Sequence, residues 1–224
     1  YHQGYSLDTR NSAITAVRAT PDLVVFEVLS HYATGSIAQP SGPSYGPPAT
    51  VPHSLPDPRS MFLGFHYSIA KLPEQPMKPR KADARVGYFT SAIMDFSDDL
   101  ARTPRQRFVN RWRLEKKDPA AALSEPVKPI VFWIDRTVPL KYRPAITAGV
   151  LEWNKAFEKI GFLDAIAVRW QNERHDFEPE DINYCTLRWI TTGSTFAMSG
   201  LRSDPMTGEM IDGDVIFDAS WIKT

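Results

Sequence analysis

One cysteine, Cys185, is all the chain has, so no internal disulfide can close. Its place in an apolar strand pattern marks it as buried and inert. No apolar run approaches the roughly 18 residues of a membrane span. Charge of one sign is also missing. Lysine plus arginine and aspartate plus glutamate stand at 26 each in 224 residues, so the overall balance does not point to nucleic acid or an anionic membrane, and only a local basic patch could hold either. There is no P-loop, no dinucleotide fingerprint and no GxSxG elbow. Among the five histidines, His2, His31, His53, His66 and His175, no pair is one helical turn apart. What remains is ordinary globular composition, 42% hydrophobic and 23% charged, enough for one large domain or two small ones.

Proline is plentiful but gathered in one place. Seven prolines fall within residues 40–58 among Gly, Ser and Ala, which excludes a helix or a central strand and predicts an exposed loop. Before it, residues 1–36 read as β structure, with Leu23-Val24-Val25-Phe26-Glu27-Val28-Leu29 rich in β-branched and aromatic residues and 12–18 placed to pair with it. After it, residues 61–69 and 85–93 read as strands, with His66 packed in the sheet. Residues 104–117 fit either a helix or a strand, since Phe108, Trp112 and Glu115 suit helical spacing. The first region is therefore a β-rich one over 1–117, and 118–125 reads as a linker.

From residue 126 the pattern changes. Residues 129–135 form a nearly continuous apolar run, the mark of a strand covered on both faces. Pro144 then sits at a favoured first-turn position, and Ile146, Val150, Trp153, Phe157 and Ile160 draw one apolar stripe along a helix that Gly161 caps. Strands are expected at 166–170 and 182–190. Two more follow in 195–201 and 214–221, joined by a turn at Ser203-Asp204-Pro205-Met206-Thr207-Gly208. The fold class is α+β, with one helix backing a mixed, twisted sheet.

Several runs together resemble a known family. Pro126-Val127-Lys128-Pro129-Ile130-Val131-Phe132, Trp153-Asn154-Lys155-Ala156-Phe157-Glu158-Lys159-Ile160-Gly161-Phe162 and Ser203-Asp204-Pro205-Met206-Thr207-Gly208-Glu209 look like the N-terminal half of a zincin metallopeptidase of the metzincin and matrixin type. Upstream, Arg85-Val86-Gly87-Tyr88-Phe89 and Arg111-Trp112-Arg113-Leu114-Glu115 are similar to the larger bacterial secreted zinc-dependent metalloproteases with a β-rich region ahead of that domain. The resemblance implies that residues 126–224 are the upper half of a zincin-type catalytic domain, truncated before its HExxH helix. It implies a secreted or periplasmic location, a polypeptide substrate and zinc bound by the remainder of the catalytic domain, with this chain alone inactive. In HExxH the two histidines hold Zn²⁺ and the glutamate acts as general base on its water. The chain opens on Tyr1 without methionine or signal peptide, which reads as a processed or trimmed piece.

By the same resemblance Phe196, Ala197, Met198, Ser199 and Gly200 form the edge strand that pairs with an extended substrate. The small side chains of Ala197, Ser199 and Gly200 suit close backbone approach. Asp204, Asp212, Asp214 and Asp218 make an acidic cluster in which carboxylates and carbonyls would hold calcium. Ile216 stands where the matrixin segment offers zinc a histidine. Other constellations are weaker: Ser68-Ile69-Ala70-Lys71 has SxxK spacing without a KTG companion, and His175 with Glu173, Asp176 and Glu178 reads as a charged loop. The rival function is a non-catalytic β-rich module that binds a polypeptide or a surface glycan.

Overall fold

The structure, a computed structural model, describes residues 4–37, 55–192 and 196–222. Most of the proline-rich segment expected as a loop, and residues 194 and 195 ahead of the edge strand, lie outside the described residues. Two compact units divide the chain, Tyr1–Lys71 and Leu72–Thr224. Together they form a mixed α+β protein dominated by strands.

The N-terminal unit is a three-stranded antiparallel sheet in the order β1 (Ser6–Ala19), β2 (Leu23–Ala33), β3 (Ser60–Ala70). The run 23–29 becomes the central strand because its β-branched residues fit a pleated surface with a neighbour on either side. Leu23, Val25 and Met61 are buried, while Ile14, Val17, Phe62, Tyr67 and Ile69 stay exposed. β1 bulges between Asp8 and Ala13, where the Asp8 carboxylate accepts the Arg10 N–H and the Asn11 amide. His66, expected to be packed, is exposed on β3. Ser68 pairs with Val25 in the ladder, which makes it a strand residue.

In the C-terminal unit, β4 (Thr90–Met94) pairs with β5 (Arg105–Val109). The strand expected over 85–93 is shorter because the Asp83 carboxylate captures the Arg85 N–H and its carbonyl accepts Val86 N–H, turning the chain first. β6 (Ile130–Ile134), β7 (Ile166–Trp170), β8 (Cys185–Ile190), β9 (Ala197–Ser203) and β10 (Met210–Asp218) form a five-stranded sheet ordered β7-β6-β8-β10-β9. All its pairs are parallel except β9 with β10. Ile130, Trp133, Ile134, Ile166, Cys185 and Leu187 fill the core. Residues 118–125 close a turn within this unit, for Lys117 N–H donates to Glu125 O and Ser124 N–H to Gly161 O.

The helix expected over one continuous stripe is two pieces, α1 (Arg143–Leu151) and α2 (Asn154–Glu158). Between them Trp153, Lys155 and Ala156 donate to the carbonyls three residues back, a tighter winding that rotates the following face. Ile146, Val150 and Phe157 are half-buried as the stripe requires, but Trp153 and Ile160 are each 65% exposed. Gly161 ends the helix at φ 92°. Asn154 ties α2 to β7 with both ends of its amide, donating to Ile166 O at 2.9 Å and accepting Ile166 N–H at 2.8 Å. Trp170 Nε1 donates to Thr147 Oγ1 on α1. Arg143 is buried beneath, its guanidinium donating to the carbonyls of Val138, Gln171 and Arg136. No helix among the described residues is long and apolar enough to cross a membrane.

Candidate functional site

β9 occupies one edge of the five-stranded sheet, with β10 its neighbour in the ladder. Ala197, Met198, Ser199 and Gly200 face Phe217, Ile216, Val215 and Asp214 in register, and all four are exposed. Phe196 is half-buried, and its carbonyl accepts the Asp218 N–H at 3.2 Å. The five residues expected to form an edge strand therefore lie together there. An edge strand with polar backbone groups unspent on one side can take up a further strand. Packing does not require the glycine: a Cβ added at Gly200 meets nothing within 4 Å. Gly200→Ala is expected to shift stability by less than about 0.5 kcal/mol in thermal denaturation.

What holds the strand was not visible in its own residues. Arg202 Nη1 bridges the Asp212 and Asp214 carboxylates of β10, lying 2.9 Å from Asp214 Oδ2. The other oxygen of Asp214 accepts the Thr186 N–H at 2.9 Å and the Thr186 hydroxyl at 2.8 Å. A single guanidinium and two carboxylates thus stitch β9, β10 and β8. Burial first, and then the charge of Asp214, push the Asp212 carboxyl up to about 6 against the pull of Arg202. Beside it, burial and then Asp212 push the Cys185 thiol up to about 12, leaving it an inert core group. A cation facing two acidic residues spaced by one glycine is the signal that could have exposed this clamp.

The four acidic residues do not gather as one site. Asp204, nearly fully buried, folds its own turn by accepting the Met206 N–H at 2.8 Å and the Thr207 hydroxyl at 2.7 Å. Asp218 caps the 3₁₀ turn Ala219–Trp221 and accepts from both Thr192 N–H and its hydroxyl. Bonds from Ser220, then Thr192, hold it down to about 2. No three His, Cys, Asp or Glu residues converge among the described residues. Each carboxylate already has protein donors, and the closest two share a cation. These residues do not fit a calcium site, which needs six or more oxygens turned to one point. His175 packs against the sheet: its ring sits edge-on to Trp133 at 4.8 Å and its Nδ1 accepts the Asn172 N–H.

Upstream of the five-stranded sheet, residues 1–117, just over half of the 224, match a family model described as Domain of unknown function (DUF5117). The chain belongs to that family. The DUF5117 match takes in the three-stranded sheet and the β4–β5 pair and stops before β6. No curated protein and no solved structure matches the chain.

Within the DUF5117 region one polar chain has the connectivity of a catalytic triad. His31 Nδ1 lies 3.0 Å from Asp8 Oδ2, and its Nε2 lies 2.8 Å from Ser60 Oγ. Acyl transfer also needs donors aimed at a developing oxyanion. The Ser60 N–H is spent on Asp57 O at 3.3 Å, and Phe62 covers the imidazole at 4.7 Å. The three residues stand on β1, β2 and β3 in turn, so the chain reads as a fastener across the sheet of the DUF5117 region.

Proposed function

We propose that the chain is the N-terminal portion of a bacterial, secreted or periplasmic zinc metalloendopeptidase. In this reading residues 126–224 supply the upper, substrate-edge half of a zincin-type catalytic domain, and the DUF5117 region accompanies it. The observation that carries the reading is the placement of β9. The strand that the resemblance assigns to the cleft rim is the antiparallel edge strand, with Ala197, Met198, Ser199 and Gly200 exposed. An extended polypeptide adding alongside it would be held by main-chain hydrogen bonds, while side chains of alternate residues set specificity.

No described residue is assigned to the metal. The proposal places the zinc ligands and the general base in an HExxH helix belonging to the remainder of the catalytic domain. Bound there, zinc supplies an activated water for peptide hydrolysis. The part of β9 is to align the scissile peptide, and a misaligned substrate loses rate even when the metal is intact.

Neighbouring N–H groups along a strand point to opposite edges, so proline separates the two roles. In the full-length protein, one of Met198→Pro and Ser199→Pro removes an outward N–H and the other removes a ladder bond to β10. The outward variant is expected to lower kcat/KM for a peptide substrate about 100-fold, or about 2.7 kcal/mol, with its melting temperature nearly unchanged. The inward variant is expected to lower the melting temperature. A full-length protein without HExxH, or peptide hydrolysis unaltered by either proline, would overturn the reading.

A further inference from the structure

We propose that the sheet face turned away from α1 and α2 carries a binding site for a small organic carboxylate with a flat, apolar body. Trp170 hydrogen-bonds α1, so its neighbour Arg169 points to the opposite face, as does Trp133, its partner in register. On that face a cavity of about 360 Å³ opens between β6, β7, β8 and the start of β10, within the size range of small-ligand sites. The inference stands apart from the peptidase reading, because none of its residues belongs to β9.

Aromatic rings supply the apolar part. Trp133, Trp112 and Tyr184 line the cavity, with Trp133 and Tyr184 meeting edge to face at 6.0 Å. Two cations supply the charge. The Arg169 guanidinium lies 5.4 Å from the Trp133 ring centroid, and no acceptor takes its N–H groups among the described residues. Lys128 lines the same cavity and likewise has no ion pair among the described residues.

The acidic side of the lining is already spent. Glu209 pairs with Arg113 at 2.6 Å. Arg113 also donates to Gln75 O, yet its buried Nε has no acceptor among the described residues. The wall therefore holds three cations against one carboxylate and has a donor to spare. What it lacks is an anion. A guanidinium fork matches the two oxygens of a carboxylate, and a ring body would lie against Trp112 and Trp133, which a hydrated inorganic anion would leave uncovered.

Calorimetric titration of the chain with indole-3-acetate and phenylacetate tests this, with indole-3-acetamide and inorganic phosphate as controls. The double variant K128Q/R169Q alters two exposed side chains, and a melting curve checks that its fold is retained. Saturable one-site binding of either carboxylate is expected, weakened about tenfold or more in the double variant and for the neutral amide. Three results would each overturn the site: no saturable binding of either carboxylate, equal binding of the amide or phosphate, or undiminished binding by the folded double variant.

Discussion

Arg202→Met is expected to destabilise the C-terminal unit by about 3 kcal/mol, measured by urea denaturation at neutral pH. The substitution keeps an unbranched apolar stem and deletes the guanidinium, with its charge and its hydrogen bonds to both carboxylates. It leaves Asp212, fully buried, and Asp214, largely buried, facing each other with no cation between them. The expected loss sits at the low end for a broken buried pair because the guanidinium is 41% exposed and partly screened by solvent. Acidity gives the loss a signature. Asp212 titrates at about 6 in the folded protein against an ordinary 3.8. Between those values the folded state holds a proton that the unfolded state has released, so stability falls as pH rises through the window. Without Arg202 that window extends upward, and the variant should suffer more at pH 8 than at pH 5. Adding Asp212→Asn should recover part of the loss, since it removes one of the two opposed charges. Equal losses at both pH values, or no recovery in the double variant, would show that the clamp is not electrostatic.

The same clamp shows what sequence could and could not disclose. Strand 130–134 was legible because burial on both faces demands continuous apolar residues, and 166–170 from its β-branched and aromatic residues. The edge strand was legible from its place just before the turn at Asp204. The third strand was expected from residue 182 and begins at Cys185, because Asp181 turns the chain first, taking the Asn183 N–H on its side chain and the Tyr184 N–H on its carbonyl. The division between compact units at Lys71 falls where Leu72-Pro73 and Met77-Lys78-Pro79-Arg80 read as a connector. Residues 105–109 read equally as helix or strand, and tertiary pairing with 90–94 decided them. The cavity beside Trp133 escaped because it is assembled from strands distant in sequence, so no local pattern contains it. The Arg202 clamp spans a single hairpin, but its tie to β8 through Thr186 is equally non-local. The acidic cluster failed in the opposite way: Asp204 and Asp218 were each taken by donors of their own, and Asp212 and Asp214 by Arg202 between them.

Gly208→Ala is expected to be the most damaging small substitution in the turn that leads into β10. Gly208 has φ 74°, a left-handed conformation that costs a residue with a Cβ about 1–2 kcal/mol. A Cβ built there would also stand 2.5 Å from Val109 O and 3.1 Å from Val109 C. Those are backbone atoms of β5, and Val109 and its neighbour Phe108 are buried, so the strand cannot simply move aside. The turn is fixed from the other side as well. Arg111 N–H donates to Gly208 O at 3.0 Å, and Met210 N–H donates to Arg111 O at 2.9 Å. Relief of the clash would have to break these bonds or the Arg113–Glu209 pair beyond them. We expect a total loss of about 3 kcal/mol, which lowers the melting temperature by roughly 6–12 °C in a unit of this size. Gly64→Ala, where an added Cβ meets nothing within 4 Å, is the control. It should leave the melting temperature within about 2 °C of wild type. If Gly208→Ala melted like this control, the close packing of the turn against β5 would be refuted. With it would go the account of why a glycine closes the hairpin that presents the edge strand.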